Sequence, residues 1–224
     1  GFGRPVARQS YLWMAPFSEE RMETLWTAGA PGETVRKAAF APVDAAASEA
    51  AGTTDLDRLL HQFLVTYLPD DILMKTDRAA MFNSLEVRAP FLDAAVAEYA
   101  GALPSELKLR GNRRKYILKQ VARKHLPDRL VDRKKHGFAV PIGHLLRTLF
   151  RECCRDIILS RANPVALWFD RPALERLLEE HMSGRREHGK GLWALLVLFM
   201  VAGRRTAPAR HDAAPHALSP VRGI

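Results

Sequence analysis

Glu86 and Arg88 alternate with Leu85, Val87, Ala89 and Phe91 in the stretch NSLEVRAPFLD, residues 83–93. In an extended chain that alternation sends the polar and apolar sets to opposite sides. A carboxylate on such an edge has two uses. It lines a pocket, where it accepts a proton or orients a reacting group, or it pairs in solvent with Arg88 or Arg78. A second candidate is RKKHGFAVP, residues 133–141, in which Lys134 and Lys135 precede a glycine. Glycine lets backbone approach a ligand closely and an ammonium neutralises phosphate charge; the plainer alternative is a solvated basic loop. Asp77 and Arg78 lie beside the apolar Leu73, Met74 and Met81, a placement that predicts a buried or half-buried, hydrogen-bonded pair.

Other chemistry has little support. The histidines show no HxxxH or HExxH spacing. Cys153 and Cys154 are adjacent and form no CxxC pair, so neither zinc nor dithiol chemistry is indicated and no metal ligand is assigned. The GFG at the start is not a dinucleotide fingerprint.

The elements that must position these residues read as helices. Ser18, with Glu19 and Glu20 behind it, starts a short helix ended by Gly29, and a loop or loosely packed helix follows. Thr54 caps DLDRLLHQFLVTYL, with Leu56, Leu59, Leu60, Phe63 and Leu64 on one face and Pro69 as its stop. The helix restarting at Asp70 or Asp71 ends near Leu85. Pro90 then disfavours helix at Ala89, so EVRAP is extended before a helix with Asp93 near its N-terminus. Glu86 therefore sits at a junction of elements, with Val87, Ala89 and Phe91 expected to hold the strand against the helices. Pro104 and Pro127 stop two further helices, and others are expected around 144–159, 172–181 and 191–202, the last buried on most sides.

The chain has 224 residues, 47% hydrophobic and 26% charged, the balance of a globular protein. Its net charge of +9 suits an anionic partner, and the cations concentrate in KLRGNRRKYILKQVARKH, in DRKKHGF and at Arg185 and Arg186. The longest apolar run, GLWALLVLFMVAG, falls short of the roughly 18–20 residues that span a bilayer. With the unpaired cysteines this predicts a cytoplasmic protein without a membrane partner. The tail RRTAPARHDAAPHALSPVRGI carries little apolar periodicity and is expected to be unstructured.

YLPDDILMKTDRAAMFNSLEVRAPFLD, followed by LPSELKLRGNRRKYILKQVARKHLPDRLVDRKKHGFAVPIGHLL, closely resembles the C-terminal part of the synthetase domain of glutamine-hydrolysing asparagine synthetases. The resemblance covers roughly residues 54–203; YLWMAPFSEERMETLW looks like the variable segment before it. It implies a variable segment over 1–53, a helical C-terminal part over 54–203 and a tail over 204–224. The fold it implies is mainly α, the helical lobe of an α/β ATP-pyrophosphatase-type domain of the adenine nucleotide alpha hydrolase-like kind. The reaction it implies is ATP-dependent amidation of aspartate through a β-aspartyl-adenylate, with magnesium as cofactor and ammonia from a separate glutaminase domain. Glu86 matches the glutamate of the LEVRxPFLD motif that faces the reaction centre, and Lys135 matches the lysine of RxKxGF that stabilises α-phosphate charge. Lys134, Asp77, Arg78 and Arg88 become supports of that site.

Three parts of the resembled enzymes are absent from this sequence: the SGG-x-D-S ATP loop, the acidic SG-E/D-G-x-D-E segment and the nucleophilic cysteine of the glutaminase domain. The expectation is a C-terminal fragment, inactive alone, completed by an ATP-binding part in cis or in trans. Two other readings stay open: a related amidotransferase or cyclase acting on another carboxylate, and a non-catalytic basic helical module. Nucleic acid is a poor fit as partner, because few aromatics interleave with the basic runs.

Overall fold

A computed structural model describes residues 5–134 and 140–206. The protein is mainly helical. Its contacts divide it into two compact units, one taking the described residues up to Ala15 together with 33–134, the other taking Pro16–Gly32 together with 140–206.

In the first unit, α1 (Val6–Met14) and α3 (Gly32–Glu49) bury Ala7, Phe40, Val43 and Ala46, with Tyr11 meeting Phe40 edge-on at 5.8 Å. The expected loop or loose helix after residue 29 is thus an 18-residue helix that accommodates Pro42. Arg8 lies over the Phe40 ring, 5.2 Å from its centroid, and its Nε donates to Asp44 Oδ1 at 2.7 Å.

α4 (Asp55–Val65) starts where Thr54 predicts, the hydroxyl accepting the Asp57 N–H at 3.1 Å. Its buried residue is Gln62, whereas Leu60 and Leu64 of the predicted apolar face are exposed. Pro69 is not a stop. It falls in the first turn of a π-helical stretch, Leu68–Leu73, where an N–H has no partner to lose, and the helical path runs on into α5 (Met74–Phe82). A single 3-10 turn, Pro90–Leu92, precedes α6 (Ala94–Ala102), whose first-turn N–H groups of Ala95 and Val96 donate to Asp93. The short α7 (Ser105–Lys108) leads into a hairpin of β1 (Leu109–Arg110) and β2 (Arg113–Arg114), then α8 (Tyr116–Ala122) and α9 (Asp128–Val131). The hairpin is absent from the helical reading. Its signal is Gly111-Asn112 between the paired residues, with Gly111 at φ +57° as a tight two-residue turn requires.

Asp57 ties α4 to α7. Lys108 donates to it at 2.8 Å, Thr54 at 2.7 Å and Ser105 at 2.9 Å, and these donors, led by Lys108, pull its carboxyl from 3.8 down to about 2.

The second unit holds the large core. α2 (Glu19–Leu25) is capped by Ser18, as predicted, but ends before Gly29, because Trp26 turns extended to bridge Phe169. α10 (Ile142–Arg147) and α11 (Arg151–Ile158) replace the single helix predicted over 144–159. They are followed by α12 (Arg171–Met182), capped by Asp170, and α13 (Gly189–Thr206). Leu146, Cys154, Ile158, Leu174, Leu177, Leu192, Leu195 and Phe199 pack into one buried cluster. α13 is apolar nearly all round, yet only the stripe through Leu192, Leu195, Leu196 and Phe199 is buried, and Trp193, Val197, Met200 and Val201 face outward. The prediction of burial on most sides therefore fails: α10, α11 and α12 cover one stripe of the helix.

His181 is fully buried at the crossing of α10, α12 and α13. Its Nε2 lies 3.0 Å from the Gly143 carbonyl and its Nδ1 accepts the His188 N–H at 3.1 Å, an arrangement that suits one neutral tautomer. Gly143 and Gly189 touch there; a Cβ on Gly189 would stand 2.7 Å from Gly143 Cα.

Leu177→Ala, at the centre of the cluster, is expected to lower unfolding stability by about 2–5 kcal/mol in denaturant titrations. In the first unit, the stabilisation from Asp57 is present above its unfolded pKa near 3.8 and is lost as pH falls toward about 2, since the folded form binds its proton less tightly. Lys108→Met should flatten that acid limb in melting curves recorded between pH 5 and pH 2.

Candidate functional site

Both ends of the segment that carries Glu86 are fixed by backbone chemistry. α5 closes in a double hydrogen-bonded cap: Leu85 N–H donates to Ala80 O at 2.9 Å and Ser84 N–H to Met81 O at 3.0 Å. This cap needs its penultimate residue in the left-handed region, and Ser84 occupies it at φ +57° without being glycine. At the other end Pro90 opens the 3-10 turn and Ala89 stays extended. Residues 85–89 form neither helix nor strand between them; of the predicted extended EVRAP, Ala89 is extended and Pro90 already belongs to the 3-10 turn.

Glu86 and Arg88, two residues apart, reach the same side, and Arg88 Nη2 pairs with Glu86 Oε1. They line an open cleft of about 620 Å³ together with Asp77, Met81, Ser84, Leu85 and Val87. Asp77 and Met81 enter it from one face of α5, four positions apart. The two alternatives for Glu86 are thus both present, since it lines a cleft and is ion-paired in solvent at once.

The structure places the other sequence candidates less closely. Arg78 is exposed and does not line the cleft, and the buried or half-buried Asp77–Arg78 pair is not formed: both side chains are exposed on a helix with no buried residue. Lys134 is exposed. Lys135 lies outside the described residues. Val87 and Phe91 do not hold the strand against helices, for they are 55% and 68% exposed, and Ala89 is exposed as well. Phe82, at 87%, belongs to the same uncovered surface. Between residues 51 and 134 Gln62 is the only buried residue, so the walls of this cleft have no core behind them.

No group of three or more His, Cys, Asp or Glu side chains among the described residues is placed to hold a metal ion. Burial, with Cys153 alongside, pushes the Cys154 thiol up to about 11, which makes it a poor nucleophile. No described helix is long and apolar enough to cross a membrane.

Sequence comparison agrees with the class of protein that the motifs define. The family described as asparagine synthase matches residues 4–203, and the chain belongs to that family. It is 33% identical over 154 residues to asparagine synthetase [glutamine-hydrolyzing] 1 of Bacillus subtilis, covering 69% of this chain and 24% of that protein. It is 37% identical over 155 residues to a putative asparagine synthetase [glutamine-hydrolyzing] of Mycobacterium bovis, covering 68% and 23%. Amidase chyE of Penicillium rubens is 26% identical over 156 residues, covering 64% and 22%. The chain spans about a quarter of the length of the first two of these relatives. No solved structure matches it.

Ser84→Gly should relieve the left-handed backbone at the cleft and raise stability by about 0.5–1 kcal/mol. Thermal melts of the two proteins, with Gly184→Ala at φ +76° as the opposite control, check this.

Proposed function

We propose that this chain is the helical C-terminal part of an ATP-dependent asparagine synthetase of the ATP-pyrophosphatase type, and that it works in the cytoplasm together with a nucleotide-binding part supplied in cis or in trans. The observation that carries the reading is the family match over residues 4–203, which includes the LEVRAPFLD segment whose first four residues line an open cleft. The uncovered Phe82, Leu85, Val87 and Phe91 around Glu86 support it, because exposed apolar surface of this kind marks a face that another body covers.

In this reading an oxygen of the aspartate side-chain carboxylate attacks the α-phosphorus of ATP, and the bond to pyrophosphate breaks to leave β-aspartyl-adenylate. Ammonia, released from glutamine in a separate domain, then attacks the acyl carbon and AMP departs with the bonding electron pair. The amine must lose a proton in that step, and Glu86, a carboxylate facing the reaction centre, is assigned to receive it. Arg88 orients Glu86 through their ion pair when the covering part excludes water from the cleft. Lys135 is assigned to the α-phosphate charge, with Lys134, Asp77 and Arg78 supporting the site's electrostatics. Magnesium would spread the phosphate charge; the described residues form no donor set for it, and no ligand to it is assigned to this chain.

A second reading, the same adenylation applied to another carboxylate, is favoured by the similarity to the fungal amidase.

Pyrophosphate release from ATP and aspartate tests the proposal. The 224-residue chain alone should be inactive, and the chain joined to or mixed with a synthetase nucleotide-binding part should turn over. Glu86→Gln should then cut the rate about a hundredfold or more with the helix content unchanged. Enzyme-like turnover by the chain alone would sink the fragment reading, and full activity of Glu86→Gln would remove that residue from the chemistry.

A further inference from the structure

The basic run at 108–125 has no part in the reaction above, yet the fold gathers its charges. In the hairpin, Arg110 and Arg113 stand directly opposite each other and so share a face. α8 and the turn after it add Tyr116, Lys119 and Arg123, spaced three and four positions apart and so aligned along one side of the helix. Arg113, Tyr116, Lys119, Arg123 and Asp132 line one cavity of about 280 Å³.

The way these groups are bonded decides what the cavity accepts. Lys119 donates to Asp132 at 3.1 Å, and Arg123 donates to Asp132 at 2.6 Å and to Asp128 at 3.0 Å. Asp132 thus sits between two cations that would otherwise repel each other. The Arg113 side chain has no ion pair or hydrogen bond among the described residues, and Nη1 of Arg123 has no acceptor there. Arg110 donates to the Tyr116 hydroxyl at 2.7 Å, which leaves that group's own O–H hydrogen free to donate elsewhere. The wall therefore offers two guanidinium groups, one ammonium and one hydroxyl, all donors, against a single carboxylate. Guanidinium forks match phosphate oxygens in geometry as well as charge, and a multiply charged anion outbids one carboxylate for the same cations.

We propose that this cavity binds a diphosphate group, either inorganic pyrophosphate or the phosphate chain of a nucleotide, with Arg113, Lys119, Arg123 and Tyr116 as donors and Asp132 as the internal group that the ligand displaces. The proposal rests on these residues alone and not on the adenylation reading, so either can fail without the other.

Calorimetric titration of the 224-residue chain with inorganic pyrophosphate, in low salt and without magnesium, tests it. Saturable one-site binding is expected. Arg113→Gln, which breaks no side-chain bond among the described residues, should weaken it about tenfold or more. Asp132→Asn should tighten it, because it frees both cations while keeping the shape of the side chain. A parallel titration with ADP separates the two sources: tighter binding than pyrophosphate assigns the site to a nucleotide, and equal or weaker binding assigns it to free diphosphate. Absence of saturable binding, or an affinity that Arg113→Gln leaves unchanged while circular dichroism shows both proteins folded, overturns the proposal and leaves the cluster as an ion-paired staple.

Discussion

Everything about the candidate site depends on five residues being kept out of helix between two fixed ends. The chain leaves α5 through paired hydrogen bonds to the Ala80 and Met81 carbonyls, and it enters the next turn through a proline whose ring forbids helix at the residue before it. Neither constraint needs a packed core. That is why Glu86 and Arg88 present themselves on one side of the segment although almost nothing around them is buried. The left-handed Ser84 is where this geometry is strained, and it lines the cleft it helps to shape.

Burial is distributed very unequally. The second unit has a continuous cluster from Leu25 to Phe199 and a buried histidine whose two ring nitrogens are both engaged, the marks of a body held together by its own packing. The first unit has a small core of Ala7, Phe40, Val43 and Ala46, and beyond residue 51 it is held by caps, ion pairs and the Asp57 network. Beyond residue 51 many large apolar side chains, Phe82 and Phe91 among them, remain in water. Contacts of that kind specify geometry and contribute little to stability, since exposed ion pairs are worth about 0–1 kcal/mol.

The positive charge of the chain is not spread as a general polyanion coat. On the hairpin and α8 it is focused on a cavity and half neutralised by Asp128 and Asp132. Elsewhere the cations pair locally, as Arg147 does with Glu187 and Arg185 with Glu179. Local pairing of this kind leaves net charge a poor guide to partner, and the arrangement of donors is the better one.

The sequence by itself determined the elements that rest on local chemistry: the caps at Ser18, Thr54 and Asp93, the break before Pro90, the alternation around Glu86 and the motifs that place the chain in its family. These need only a residue and its near neighbours. It misjudged turns that apolar periodicity does not encode, and everything that depends on neighbours far along the chain. Pro69 looked like a stop because the π-helical path into α5 is not written in periodicity, and the Gly111-Asn112 hairpin was hidden in a run read as charge. Which face of an apolar helix is covered is also a tertiary matter, as α13 shows with one stripe buried and the rest exposed. Whether Val87 and Phe91 support a strand or face water, and which cations meet around one cavity, was decided by tertiary structure alone, because burial is a property of what packs over a residue and not of the residue itself.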